Sequence, residues 1–254
     1  TWNGESDDYV VQYRTAASIN GLSEDFGSSP TDWTFTTGAL NTGGTATLSG
    51  TSSWSRGTNC GVFDSHIYMN MYGTKNYWLI TPSLEVGDGY LLSMDIAYTK
   101  YSSGSTNTAP VTGCTTHRFA ILISTDDKAT WTILREWNNS GSAYVLDEVS
   151  QNGQSTGNID LSAYAGQNAY IAFFGHSETS SYDNNFHFDN VTIGTPVPAG
   201  AWTTAEHTLE TSQLNGLTAG TKYEVRVQGI CGGTATDWSD LLSFTTVADN
   251  VKVF

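Results

Sequence analysis

Basic residues are scarce in this sequence. Lys and Arg together number 10 against 25 Asp and Glu in 254 residues, a formal net charge of −15. A nucleic-acid-binding surface needs clustered cations to release counterions from phosphates, and so few, spread along the chain, cannot form one. Long apolar runs are missing too: the longest, at 170–174, is strand-sized, well short of the ~18 residues that mark a membrane span. The three cysteines, Cys60, Cys114 and Cys231, form no C-x-x-C pair, which removes the usual zinc and redox motifs. Their odd number leaves a free thiol, an intermolecular bond or a partner outside this sequence. No Gly-x-Ser-x-Gly elbow and no glycine-rich phosphate cradle after a strand are present, so nucleophilic and nucleotide chemistry have no motif to stand on. No signal peptide starts at Thr1, which leaves a mature form, a fragment or a cytosolic chain. Its threonine-rich, lysine-poor composition favours the extracellular reading.

Aromatic residues, in contrast, make up 12% of the chain, with 8 Trp, 13 Tyr and 10 Phe. With 38% hydrophobic residues they can fill a core, which excludes disorder. Period-two alternation of aromatic and β-branched residues recurs at 9–13, 91–96, 119–123, 130–134, 170–174, 186–193 and 223–228. Clusters such as Gly87-Asp88-Gly89, Asp126-Asp127-Lys128 and Asn138-Asn139-Ser140-Gly141 separate these runs and read as turns. Short strands joined by such turns predict an all-β antiparallel sandwich. The polar, glycine-rich stretches 101–113 and 138–157 are the longest loops, either binding loops or plain surface excursions.

The two ends of the chain share a style that the middle lacks. Trp2-Asn3-Gly4 followed by Asp8-Tyr9-Val10-Val11-Gln12-Tyr13-Arg14 resembles the B–C region of a fibronectin type III domain. Leu214 to Val227, with Trp238-Ser239 and Ser243-Phe244-Thr245-Thr246 after it, resembles that family's E–F corner and G strand. The resemblance implies that the Tyr223 hydroxyl ties the corner down. Between these ends, Asp25-Phe26-Gly27 to Trp33, Tyr77-Trp78-Leu79-Ile80-Thr81-Pro82, Phe119 to Asp126, Ile159 to Gln167, and Phe188-Asp189-Asn190-Val191 resemble the cleaved adhesin, or choice-of-anchor J, jelly rolls. These are MAM-like domains common in Bacteroidetes surface proteins. Gly27, where relatives often carry glutamate, and the long 101–113 segment depart from the pattern.

The resulting expectation is a jelly-roll β-sandwich over 18–197 inserted into a partial fibronectin type III-like sandwich made of 1–17 and 198–247, with 248–254 opening a linker or a next domain. Insertion is tolerated where a domain's ends lie close together. The host sandwich would lack its first strands, so a preceding segment or a partner chain is expected to complete it. The resemblance implies a cysteine there for Cys231, which leaves Cys60 and Cys114 to pair with each other.

The resemblance also implies a structural calcium ion bridging the first and last strands of the jelly roll, with Glu24, Asp25 and Asp189 at the matching positions. Oxygen-rich carboxylates suit that hard cation. Strand alternation places Glu24 and Asp25 on opposite faces, so not both are expected to bind. Trp54, Tyr72, Tyr101 and Tyr182 are the candidate ligand-contact aromatics, since flat rings stack on sugars and anchor protein interfaces. His187 and Asp189 share a strand face. The expected function is a non-catalytic extracellular adhesion or ligand-binding module of a larger bacterial surface protein, its partner a host or cell-surface protein or glycan. The alternatives are a carbohydrate-binding accessory domain of a secreted hydrolase, or a structural spacer.

Overall fold

The computed structural model describes residues 8–58, 63–101, 107–207 and 211–247. Trp2, Cys60 and the 248–254 segment lie outside the described residues. Eleven strands of four residues or more run through those described. They are β1 (Asp8–Thr15), β2 (Ser18–Glu24), β3 (Thr34–Thr37), β4 (His66–Ile80), β5 (Leu91–Lys100) and β6 (Arg118–Ser124). There follow β7 (Thr132–Asn138), β8 (Asn168–Val197), β9 (Lys222–Cys231), β10 (Thr234–Trp238) and β11 (Leu242–Thr245). The fold is all-β and sandwich-like. Among the described residues no helix is long and apolar enough to cross a membrane.

The chain divides into two compact units, Thr1–Ser18 with Pro196–Phe254, and Ile19–Thr195. In the first, β1 and β9 pair antiparallel from Asp8↔Ile230 to Thr15↔Tyr223. Segments more than 200 residues apart in sequence are thus direct neighbours. Beyond β9 lie β10 and β11, and Thr203–Thr204 adds to the free edge of β1. Alternation sends Val11, Tyr13 and Tyr223 into a small core with Ala205, against which Leu214, Leu217, Val225 and Phe244 pack. The Tyr223 hydroxyl accepts the Thr218 N–H at 2.9 Å, and the Tyr13 hydroxyl donates to the Asn215 carbonyl at 2.8 Å. On the other face, the Arg14 guanidinium lies 4.3 Å from the Trp202 ring centre, and Arg226 lies 4.1 Å from both Trp202 and Trp238. Rings and cations therefore alternate in a ladder, closed by the 2.8 Å Arg14–Glu224 ion pair.

The second unit has two layers through which β4 and β8 both run. In one layer the order is β7-β6-β8-β4-β3, with β8 contributing Tyr170–His176. In the other, the later part of β8 lies between β4 and β5, with Phe186 opposite Met69 and Tyr98. The β4–β8 pair changes register between Thr179 and Asn184, where Gly73 turns with φ +73°. The two alternating runs at 170–174 and 186–193 are therefore one bent strand. β2 also pairs with β8, so the unit's first and last strands are neighbours.

Between the layers Phe119 stacks on Phe186 at 4.1 Å and Phe173 on Phe188 at 4.9 Å, with Trp54 edge-on to Phe119 and Phe188. Each large side chain buried this way contributes roughly 1.5–3 kcal/mol. A Cβ at Gly175 would collide with Met69 Sδ, so glycine is required where the layers approach. The 138–157 stretch is not a free excursion, because Leu146 and Val149 plug this core. A second cluster, Trp78, Ile80, Leu122, Trp131 and Phe174, covers the outer face of the β6 layer beneath Leu40, Ala46 and Leu48.

Candidate functional site

The expected metal residues meet only in part. β2 ends at Glu24, and Phe26 takes a left-handed φ of +50°, so the alternation assumed for Glu24 and Asp25 does not continue. Both carboxylates instead fold back on the turn: Glu24 accepts the Phe26 N–H at 2.8 Å and Asp25 the Gly27 N–H at 2.9 Å. The Phe26 and Gly27 carbonyls are held by Arg56. Asp189 is buried and lies opposite Asp95 across the β5–β8 pairing. Burial pushes its carboxyl up to about 6, with the charges of Asp64, Asp25 and Asp95 adding to the effect. Two acids not anticipated from sequence, Asp64 and Asp95, therefore stand nearer to Asp189 electrostatically than Glu24 does. Their chemistry, all oxygen and excess negative charge, suits a hard cation. Among the described residues, however, no three His, Cys, Asp or Glu side chains converge closely enough to hold a metal ion.

His187 shares the outer face with Asp189, and its Nε2 lies 2.9 Å from Thr99 Oγ1. Its ring is 4.9 Å from His66 and stacked at 5.8 Å on Tyr68. Burial lowers His66 to about 4 and His187 to about 3, so both are neutral at neutral pH. This imidazole pair is a packed part of the layer.

The expected ligand aromatics separate. Trp54 is not a contact residue: it is 4% exposed and belongs to the interlayer core, because its strand-proximal position turns it inward. Tyr72 and Tyr101 are exposed, at 43% and 46%. Met71 and Lys100 both lie opposite Asn184, so the two tyrosines extend one residue past that row on either side of β8. Tyr182 is half-buried and edge-on to His117 at 6.4 Å. Cys114 is buried with a free thiol, 3.6 Å from Thr116 Oγ1. The expected Cys60–Cys114 disulfide does not form among the described residues, and Cys60 itself lies outside them.

An open site among the described residues was not foreseen. On the outer face of the β6 layer two adjoining cavities share Arg118 as a wall. One, about 360 Å³, is lined by Leu40–Gly44, Arg118, Trp131 and Ile133. The other, about 280 Å³, is lined by Thr115–Arg118, Glu136, Asn138, Ser140, His176 and Glu178. Register explains the assembly: Arg118 lies opposite His176 on one side and Asn138 on the other, and Ala120 opposite Glu136. Arg118 Nη2 donates to Glu136 Oε2 at 2.6 Å, and its guanidinium sits 5.6 Å above the Phe174 ring. His176 Nδ1 lies 2.8 Å from Asn76 Oδ1 and its Nε2 3.2 Å from Glu178 Oε1, and the neutral ring donates to only one of them. Burial lowers His117 to about 4 and also lowers His176. Three nitrogen atoms of residues that line these cavities, Trp131 Nε1, Arg118 Nε and His117 Nε2, are buried from solvent without a hydrogen-bond partner among the described residues.

No family model matches the chain, and no curated protein matches it. Solved structures do. The chain is similar to the K1 cleaved adhesin domain of Lys-gingipain from Porphyromonas gingivalis W83, at 19% identity and a TM-score of 0.45, over 69% of this chain and 98% of that one. It is similar to the K3 cleaved adhesin domain of the same protein at 18% identity and a TM-score of 0.42, over 68% and 97%. It is also similar to the carbohydrate-binding module TmCBM27, studied for specific mannan recognition, at 15% identity and a TM-score of 0.36, over 70% and 96%.

Proposed function

We propose that this chain is a non-catalytic extracellular binding module of a larger bacterial surface protein, a cleaved-adhesin-type jelly roll carried on a split fibronectin type III-like domain. The observation that carries this reading is the pair of adjoining cavities on the outer face of a tightly packed sandwich. Their walls carry the Arg118–Glu136 pair and the exposed Glu178, an open polar surface on a platform that the aromatic core keeps in place. The sequence motifs of the adhesin family support the same assignment. The test is immobilisation of the full chain against panels of extracellular glycans and matrix proteins, with parallel assays for hydrolysis of the same compounds. Saturable binding without product supports the reading; turnover contradicts it.

Calcium belongs to this proposal as a structural ion. Asp189 is the expected ligand, and a cation near it would relieve the repulsion that Asp64, Asp25 and Asp95 exert on its carboxyl, but these side chains would have to draw closer to coordinate the ion together. The partly buried apolar residues Tyr9, Val225 and Val227 of β1 and β9 support a further proposal, that another segment or a partner chain packs on that face.

A further inference from the structure

The outer face of the β4–β8–β5 layer carries two exposed tyrosines, Tyr72 and Tyr101. Ile67, Met69 and Met71 enter the core, so alternation turns Tyr68, Asn70 and Tyr72 outward. On β5, Ile96 and Tyr98 enter the core, while Thr99 meets His187 on the outer face. The Tyr101 N–H donates to the Asp183 carbonyl at 2.8 Å, so the pairing continues and Tyr101 follows Thr99 outward. Tyr72 and Tyr101 therefore flank β8, two strand spacings or about 10 Å apart. That is wider than the roughly 4.5–7 Å at which rings pack on one another. Both rings stay open to solvent, at 43% and 46%.

Polar groups of β4 and β8 lie beside the two rings. Asn70 Nδ2 donates to Asp183 Oδ1 at 2.7 Å and lies 3.2 Å from both the Asn184 carbonyl and Asn185 Oδ1. Three surrounding oxygens fix the orientation of that amide, and Asn185 presents its Nδ2 elsewhere. Asn70 Oδ1, Asp183 Oδ2 and Asn185 Nδ2 have no hydrogen-bond partner among the described residues, and none of them is closed off from solvent. Lys75 Nζ donates to the Asn70 carbonyl at 2.7 Å, and the Asp183 charge favours its ammonium form against burial. Lys75 and Asp183 thereby balance each other.

This set selects among ligands. An anion meets the Asp183 carboxylate and a chain of net charge −15. A cation has no acceptor to offer Asn185 Nδ2, and it competes with Lys75 for Asp183. A hydroxylated ring donates to Asn70 and Asp183 and accepts from Asn185, while its C–H faces stack on the phenol rings.

We propose that Tyr72 and Tyr101, with Asn70, Asp183 and Asn185 beside them, form a binding site for a neutral saccharide. The assignment rests on the binding-module reading and names its ligand class, on the outer face of the layer that does not carry the two cavities. Asp189 lies further along β8, roughly 20 Å from Asp183 at the ordinary strand rise, so recognition is independent of calcium.

The test uses the full chain on an array of neutral and acidic oligosaccharides and basic peptides, with and without EGTA. Saturable binding of at least one neutral oligosaccharide, insensitive to EGTA and weakened tenfold or more by Tyr72→Ala and by Tyr101→Ala, is the expected result. Tyr72→Phe and Tyr101→Phe should keep most of the affinity, because stacking needs only the ring. Both tyrosines are exposed, so the variants should melt at the parent's temperature. Proton NMR of the unsubstituted chain should show the Tyr72 and Tyr101 ring resonances moving when that oligosaccharide is added, which keeps the test valid if a variant does not fold. Binding confined to sulfated or sialylated glycans, neutral binding unchanged in both alanine variants, or no glycan binding would overturn the assignment. Binding of basic peptides alone would overturn it while leaving the binding-module reading intact, whereas hydrolysis of the arrayed oligosaccharides would overturn both.

Discussion

The two units are held together in different ways. Ile19–Thr195 rests on a continuous core of stacked and edge-on rings running through both layers, with a second cluster on its outer face. The unit built from the chain's two ends has four buried core residues among those described, and on its opposite face a ladder of Trp202, Trp238, Arg14 and Arg226. The first is stabilised chiefly by burial, which is non-directional and additive over area. The second depends on pairing of remote strands and on polar and cation–π contacts worth a kcal/mol or less each. A unit with a deep core can carry buried polar atoms without partners at tolerable cost, and Trp131 Nε1, Arg118 Nε and His117 Nε2 are among them.

The sharpest way to break this comparison is to remove a core ring. Phe119→Ala should cost Ile19–Thr195 about 3–5 kcal/mol, read by urea denaturation, while hydrogen exchange in β1 and β9 stays unchanged. Acid should act on the same unit. His66, His117 and His187 have folded values of about 4, 4 and 3, below the ordinary 6.5. The stability tied to their neutral forms is fully present above pH 6.5 and is lost as pH falls through about 4. Asp189 opposes them, since a carboxyl raised to about 6 contributes stability below pH 4 that is lost as pH rises through 6. Melting curves between pH 7 and 3.5 should show net acid destabilisation, and Asp189→Asn should make it steeper.

At neutral pH, Asp189→Asn should raise the melting temperature in EGTA by a few degrees and abolish any rise on adding calcium. A calcium effect that survives the substitution would place the ion elsewhere. Smaller effects are expected in the other unit. Tyr223→Phe removes the hydroxyl that accepts the Thr218 N–H and should cost about 1 kcal/mol. Trp202→Ala, which takes the rung between Arg14 and Arg226, should cost about 0.5–1 kcal/mol.

Much of the fold was legible because alternation is a local signal. The runs at 9–13, 91–96, 119–123 and 223–228 lie in β1, β5, β6 and β9, and the turn at Asp126–Lys128 has two residues with positive φ. What local signals could not supply was juxtaposition. The bend joining 170–174 to 186–193 depends on a register change that no single window records. Trp54 looked like a loop aromatic but turns inward. The cavity-wall groups His117, Arg118, Glu136, His176 and Glu178 sit on or beside three strands brought together only by pairing, and Asp64 and Asp95 reach Asp189 in the same manner. The one cue in the sequence was the adjacent pair His117-Arg118 at the start of a strongly apolar strand, where a polar couple has little reason to be buried without a role.

Calorimetry of the full chain, run on the parent and on the Phe119→Ala and Tyr223→Phe variants, tests the two-core account most directly. Two separable transitions are predicted, with Phe119→Ala lowering only the larger and Tyr223→Phe only the smaller. A single transition displaced by both substitutions would contradict it.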